Sequence, residues 1–170
     1  RGNSYEAPEN TIPAIQAAID NMSDYAEIDV QETADGVIVL CHDTSLKRVA
    51  GINKKVSDLT LEQIKKLDVG SWFSSEYQGE QIPTLEEVME YAKGKIDLNI
   101  EIKNLGNSSG LPEKVIELVE KYEMQEQCVI TSTNRFYLKR VKAVNPEIRT
   151  GYIISAAYGN FYSDEFIDLI

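Results

Sequence analysis

Three carboxylates, one amine and one imidazole are the residues of this chain best placed to do chemistry. Glu27-Ile28-Asp29-Val30 sets two carboxylates two residues apart, and Glu101-Ile102-Lys103 sets a carboxylate and an ammonium at the same spacing. Both stretches lie in alternating apolar runs that read as β-strands, where side chains at i and i+2 point to one face. Glu27 and Asp29 therefore share a face, and so do Glu101 and Lys103. Charges on inward strand faces are costly unless a counter-ion pairs them. His42, the single histidine of the sequence, follows the next apolar run, Val37 to Cys41. Carboxylates able to cage a cation, beside a group able to carry a proton near neutral pH, point to metal-assisted hydrolysis of a phosphate ester. Plainer readings exist for each pattern: a solvated strand face for Glu27 and Asp29, a cross-strand ion pair for Glu101 and Lys103, and a surface histidine for His42. Asp43 could orient His42, although adjacent residues on an extended chain point apart.

The elements that must hold these residues are legible from periodicity and caps. Asn10 or Thr11 can cap a first helix, Pro13 fits its first turn, and Ile12, Ile15, Ala18, Ile19 and Met22 follow helical spacing. A strand from Ala26 to Glu32 comes next. Ala34-Asp35-Gly36 is a tight turn, so the short strand Val37 to Leu40 must pair antiparallel with the strand before it. Residues 44 to 83 lose the strand-helix rhythm and read as a small packed insertion with one helix, Leu61 to Leu67, opened by a Thr60/Gln63 capping box. Trp72, Phe73 and Tyr77 read as packing within it, or as a grip on a substrate alcohol. A second box, Thr84/Glu87, opens the next helix. The rhythm then becomes regular: strand 96–103, helix 111–123, strand 128–132, helix 134–144, strand 149–154, and a helix from Ser163 to the end. Alternation of this kind implies a parallel sheet with right-handed crossovers, either an open sheet of four main strands or part of an eight-stranded barrel. In both, sites gather at the carboxyl ends of the strands, where Glu27, Asp29, Glu101 and Lys103 fall.

Composition narrows the function classes. The 170 residues are 42% hydrophobic and carry a net charge of -11, enough for one real core and hostile to nucleic acid and to anionic membranes. No stretch approaches the roughly 18 apolar residues of a membrane span, and no signal-peptide pattern is seen. Cys41 and Cys128 read as small strand hydrophobes, not as a disulfide or a nucleophile. The chain opens at Arg1 rather than Met, as a processed, trimmed or partial product would.

Taken together, Arg1-Gly2, Pro8-Glu9-Asn10-Thr11, Glu27-Ile28-Asp29-Val30, Thr33-Ala34-Asp35-Gly36, His42-Asp43, Ile82-Pro83-Thr84-Leu85 and Asn99-Ile100-Glu101-Ile102-Lys103 occur in an order and spacing that resembles the glycerophosphodiester phosphodiesterase family. The match is strong over residues 1 to 103 and weaker beyond. The resemblance implies a (β/α)₈ TIM-type barrel, incomplete in this chain, with the first strand and about three closing strands outside it. It implies one domain over residues 1–170 with a small insertion, residues 44–83, after the second barrel strand. It implies a divalent cation on Glu27, Asp29 and Glu101, phosphate contacts from Arg1 and Lys103, and His42 as one of two catalytic histidines. The other would immediately precede Arg1. Sequence does not decide whether His42 is the acid or the base; general acid for the leaving group is the preferred assignment. An all-oxygen ligand set suits Ca²⁺ or Mg²⁺ better than zinc.

The function so implied is hydrolysis of a small glycerophosphodiester to glycerol phosphate and an alcohol, with no nucleic-acid partner. Two rivals stand beside it: a metal- or glycerophosphate-binding fragment that is inactive or needs a partner, and a phospholipase D-like lyase acting on lysolipids. Domains of this family occur free, secreted or fused to membrane segments, so a cytoplasmic or membrane-tethered protein is expected and a secreted one is the alternative.

Overall fold

The computed structural model describes residues 1–103 and 110–154. Its first element is helix α1 (Ile12–Asp20), which starts where the Thr11 hydroxyl accepts the Ala14 N–H and where Pro13, with no N–H to lose, sits in the first turn. Strand β1 (Tyr25–Glu32) follows and turns back into β2 (Ile38–Leu40), paired antiparallel with Val30 opposite Leu40. Gly36, at φ +82°, lets the chain reverse, and the Thr33 N–H closes the turn on the Val37 carbonyl at 2.9 Å.

Between β2 and the next long helix the described elements are α2 (Lys47–Ala50), a 3₁₀ turn at Val56–Asp58, α3 (Leu61–Ile64) and a 3₁₀ turn at Ser75–Tyr77. The Thr60/Gln63 capping box is present, but the helix it opens ends at Ile64, short of the expected Leu67. Lys66 and Leu67 bond three residues back instead of four, and Asp68 then captures the Gly70 and Ser71 N–H groups at 2.9 Å each, which turns the chain away. Helix α4 (Leu85–Ala92) opens on the Thr84/Glu87 box. Regular alternation follows: β3 (Asp97–Ile102), α5 (Leu111–Lys121), β4 (Cys128–Ser132), α6 (Arg135–Val144) and β5 (Arg149–Tyr152). The helix expected from Ser163 lies outside the described residues.

The sheet runs in the order β2-β1-β3-β4-β5, with β1, β3, β4 and β5 all parallel. Each crossover steps one place in the same direction. A doubly wound sheet reverses its winding at a switch point; a barrel wall does not. The two faces of the sheet differ in chemistry. Ala26, Ile28 and Val30 of β1, Leu98, Ile100 and Ile102 of β3, and Cys128 and Ile130 of β4 pack with α1, α4, α5 and α6 in one apolar core. The alternate positions, Glu27, Asp29, Gln31, Asn99, Glu101 and Thr131, point to the opposite face, which is almost wholly polar. A second apolar cluster, Val39, Cys41, Leu46, Val56, Leu59, Ile64, Val69 and Ile82, ties residues 44–83 to the face of β2 opposite Ile38 and Leu40. Cys41 and Cys128 are free and buried, and burial pushes both thiols up to about 12. Among the described residues no helix is long and apolar enough to cross a membrane.

Candidate functional site

Strand register settles what the two-residue spacing left open. In the β1–β3 pair, Asp29 stands directly opposite Glu101 and Glu27 opposite Asn99. Glu27, Asp29 and Glu101 thereby each offer a carboxylate oxygen, and these oxygens lie within 4.8 Å of one another. The Asp29 side chain is fully buried, whereas Glu101 is 15% and Glu27 34% exposed. Three anions this close need cations, and two side chains of this chain supply them. Lys103 donates to Glu101 at 2.8 Å and stands 3.3 Å from Asp29 Oδ1. The Arg1 guanidinium lies 3.5 Å from Asp29 Oδ2 and 3.3 Å from Glu9. The Glu101–Lys103 pair is thus formed within one strand end, not across strands.

Electrostatics mark this as a site short of positive charge. Burial raises the Glu27 carboxyl above its ordinary range, and the charges of Asp29 and Glu101 push it up further. Burial works against the Lys103 ammonium, yet Glu101 and Asp29 outweigh it and hold its pKa above the usual lysine value. Asp29 Oδ1 is buried with no hydrogen bond aligned on it; Lys103 reaches it at ion-pair distance only. A buried, under-coordinated oxygen among three hard donors is what a divalent cation of the Ca²⁺ or Mg²⁺ kind would satisfy, so the residues present fit such an ion.

Two neutral side chains position the cage, and sequence reasoning gave them no such role. Asn10 donates from Nδ2 to Asp29 Oδ2 at 2.8 Å and accepts the Asp29 N–H on Oδ1 at 3.0 Å. It sits at φ +56°, a left-handed conformation that asparagine tolerates. Thr11, not Asn10, caps α1, which frees Asn10 for this task. Gln31 continues the Glu27, Asp29 face by one more step. Its Nε2 donates to the Cys41 carbonyl at 2.7 Å and to the Asp43 carbonyl at 2.9 Å, seating the peptide that carries His42. The same-face spacing 27, 29, 31 was the available signal for Gln31; nothing local signals the Asn10 bridge.

His42 meets its neighbour after all: Nδ1 lies 2.8 Å from Asp43 Oδ1. The expectation that side chains 42 and 43 point apart assumed an extended chain, but β2 ends at Leu40 and the backbone bends at Asp43. The Arg48 guanidinium, followed by the His42 hydrogen bond, holds the Asp43 carboxyl at about 2, so it is ionised and can only accept. His42 Nδ1 therefore carries the proton, and Nε2 is the nitrogen left for chemistry. Arg48 also grips Glu9 with two bonds, at 2.8 and 2.7 Å. The ion pairs run continuously from Asp29 through Arg1, Glu9 and Arg48 to Asp43 and His42. Of the aromatic residues, Trp72 meets Phe73 edge-on at 5.9 Å and Phe73 meets Tyr77 at 5.7 Å, within residues 44–83.

Comparison with known proteins gives this geometry a context. A model of the glycerophosphoryl diester phosphodiesterase family matches residues 1–163. A glycerophosphodiester phosphodiesterase of Caldanaerobacter subterraneus subsp. tengcongensis is 41% identical over 155 residues, covering 90% of this chain and 64% of that protein. A putative glycerophosphodiester phosphodiesterase of Bacillus subtilis is 38% identical, covering 94% of this chain and 65% of that protein. The chain thus spans just under two thirds of the length of these two relatives. The solved structure of an Oleispira antarctica phosphodiesterase in complex with the product sn-glycerol-3-phosphate superposes with a TM-score of 0.88 at 34% identity, covering 99% of this chain and 69% of that one. The fold class is accordingly α/β, and the one-directional sheet is part of a TIM-type barrel wall.

Proposed function

The chain belongs to the glycerophosphoryl diester phosphodiesterase family, and from that premise we propose that the protein it represents hydrolyses small glycerophosphodiesters to glycerol phosphate and an alcohol. One observation carries the proposal: three carboxylates converge within 4.8 Å on one face of two adjacent parallel strands, with two cationic side chains among them. The solved relative that holds sn-glycerol-3-phosphate supports a product of that size and charge. In this reading residues 1–170 belong to one partial barrel domain and residues 44–83 are an insertion in it; the separate apolar cluster of that segment supports the division.

Glu27, Asp29 and Glu101 would hold one Ca²⁺ or Mg²⁺ ion, whose charge neutralises that of the phosphate. Arg1 and Lys103 would grip phosphate oxygens, exchanging part of their present pairing with carboxylates for the substrate anion. They would also stabilise the charge that builds on those oxygens in the transition state. A water that forms the new bond to phosphorus, its proton passing to solvent, would give glycerol phosphate directly as the bond to the departing alcohol breaks; a glycerol hydroxyl attacking instead would give a cyclic phosphate that a water must then open. His42 in its imidazolium form, with Nδ1–H held on the Asp43 carboxylate, would give its Nε2 proton to the departing alcohol and return to the neutral Nδ1–H tautomer.

The test is turnover by the full-length protein. Glycerol phosphate release from glycerophosphocholine or glycerophosphoglycerol should stop with a chelator and return with Ca²⁺ or Mg²⁺. His42→Ala should lower kcat by about 10²- to 10⁴-fold while divalent affinity stays within a few-fold. Turnover indifferent to chelator would overturn the cation's role, and full activity in His42→Ala would remove that residue from the chemistry. Cleavage of lysolipids alone would replace this substrate class.

A further inference from the structure

We propose that Arg48 is a positioning residue for His42, acting through Asp43. It also joins residues 44–83 to the end of the sheet where the carboxylates gather. The inference rests on the reaction proposed above, with His42 as its proton carrier. Arg48 lies on α2, outside every motif that brought the site into view. Its guanidinium is nonetheless engaged on three nitrogens: Nε donates to Asp43 Oδ2 at 2.7 Å, and the two terminal nitrogens donate to the two oxygens of Glu9 at 2.8 and 2.7 Å. The Trp72 ring lies 5.5 Å below the same group.

The consequence for His42 is geometric. Asp43 is 29% exposed and, on a bent loop, its carboxylate could rotate into water. Arg48 holds Oδ2, which leaves Oδ1 aimed at His42 Nδ1 at 2.8 Å. A ring held at Nδ1 by an acceptor has one tautomer and one orientation, with Nε2 outward. Glu9 supplies the anchor, because its side chain is only 10% exposed and it also accepts from Arg1. The guanidinium fork spans two carboxylates at once; the single ammonium of a lysine cannot reproduce that. The Tyr77 hydroxyl, donating to the Glu6 carbonyl at 3.0 Å, gives the same segment a second point of attachment near Glu9.

The alternative role for Arg48 is direct contact with substrate, since it borders an open depression of about 530 Å³ together with Ser45, Lys47 and Asn53. The two roles separate in kinetics and in the imidazole spectrum. In the full-length protein, Arg48→Met should lower kcat by about tenfold to a hundredfold with KM within about twofold. Arg48→Lys should fall between it and the parent. The Arg48→Met/Asp43→Asn double variant should be no slower than Asp43→Asn alone, because Arg48 acts through Asp43. Nitrogen-15 shifts of His42, assigned by their loss in His42→Gln, should report the Nδ1–H tautomer in the parent and a shift of population toward Nε2–H in Arg48→Met. A raised KM at unchanged kcat, fully additive losses in the double variant, or unaltered His42 shifts would each overturn the proposal. Should Arg48→Met fail to fold, Glu9→Gln, which loosens the anchor without touching Asp43, must still lower the Nδ1–H population. If the parent cleaves no glycerophosphodiester, the proposed reaction fails, while the nitrogen shifts still decide whether Arg48 positions His42.

Discussion

Replacing Asn10 by alanine should be among the most damaging single changes in the chain, because the Asn10 amide supplies the partner of the buried Asp29 N–H. Val30, on one side of β1, accepts from the Lys103 N–H beside β3. Residues 27 and 29 turn their backbone groups the other way: the Glu27 carbonyl accepts from Gly2 and the Asp29 carbonyl from Cys41. The Asp29 N–H on that side has the Asn10 side chain as its partner at 3.0 Å. Alanine orphans this buried donor, at about 1–3 kcal/mol, and removes a bond to the buried Asp29 carboxylate, nominally about 1.5–3 kcal/mol. It also places an ordinary side chain at φ +56°, for about 1 kcal/mol more. Water entering the gap recovers part, so a net loss of about 3–5 kcal/mol is expected. With a urea slope of about 1–3 kcal/mol/M, the unfolding midpoint should fall by more than about 1 M. Asn10→Gly removes the same bonds but relaxes the backbone, so it should be milder by about 1 kcal/mol. Asn10→Ala should also weaken divalent binding, since it frees the Asp29 carboxylate to rotate. A midpoint within about 0.3 M of the parent would refute the reasoning, and equal losses for alanine and glycine would refute the backbone part of it.

Three further outcomes follow from the same geometry. Glu101→Gln removes one anionic ligand opposite Asp29, so calorimetric titration should show about tenfold to hundredfold weaker Ca²⁺ or Mg²⁺ affinity, with activity partly restored by excess cation. The Asp43 carboxyl is held at about 2 against an ordinary 3.8, so its contribution to stability is complete above about 3.8 and is lost as pH falls through 2. Because Asp43 and Arg48 are 29% and 41% exposed, solvent screening reduces that contribution to about 1 kcal/mol; the stability gap between the parent and Asp43→Asn should close over this pH range in denaturant titrations. Cys41 and Cys128 are buried with thiols raised to about 12, so neither should react with a thiol reagent at pH 8 until the chain unfolds, and rapid labelling of the native protein would contradict their packing.

What the sequence determined by itself is what short-range periodicity and local bonding can encode. Alternation marked the strands and placed Glu27 with Asp29, and Glu101 with Lys103, on common faces, because a pleated backbone leaves no other choice. Turn length made β2 antiparallel, and the Thr60/Gln63 and Thr84/Glu87 boxes started their helices as written, because capping bonds span only three residues. Helix α3 ends short of the expected Leu67 because Asp68 competes for the backbone just beyond it. Tertiary structure decided the rest. The β1–β3 register, set by the packing of two apolar faces, brings Glu101 opposite Asp29 rather than one residue away, where it would face the core. A bend after β2 turns Asp43 onto His42, against the alternation of an extended chain. Asn10 and Arg48 acquire their roles from partners 19 and 39 residues distant, Asp29 and Glu9. No spacing rule reaches that far: such contacts exist only once the sheet and its covering helices have fixed where the loops lie.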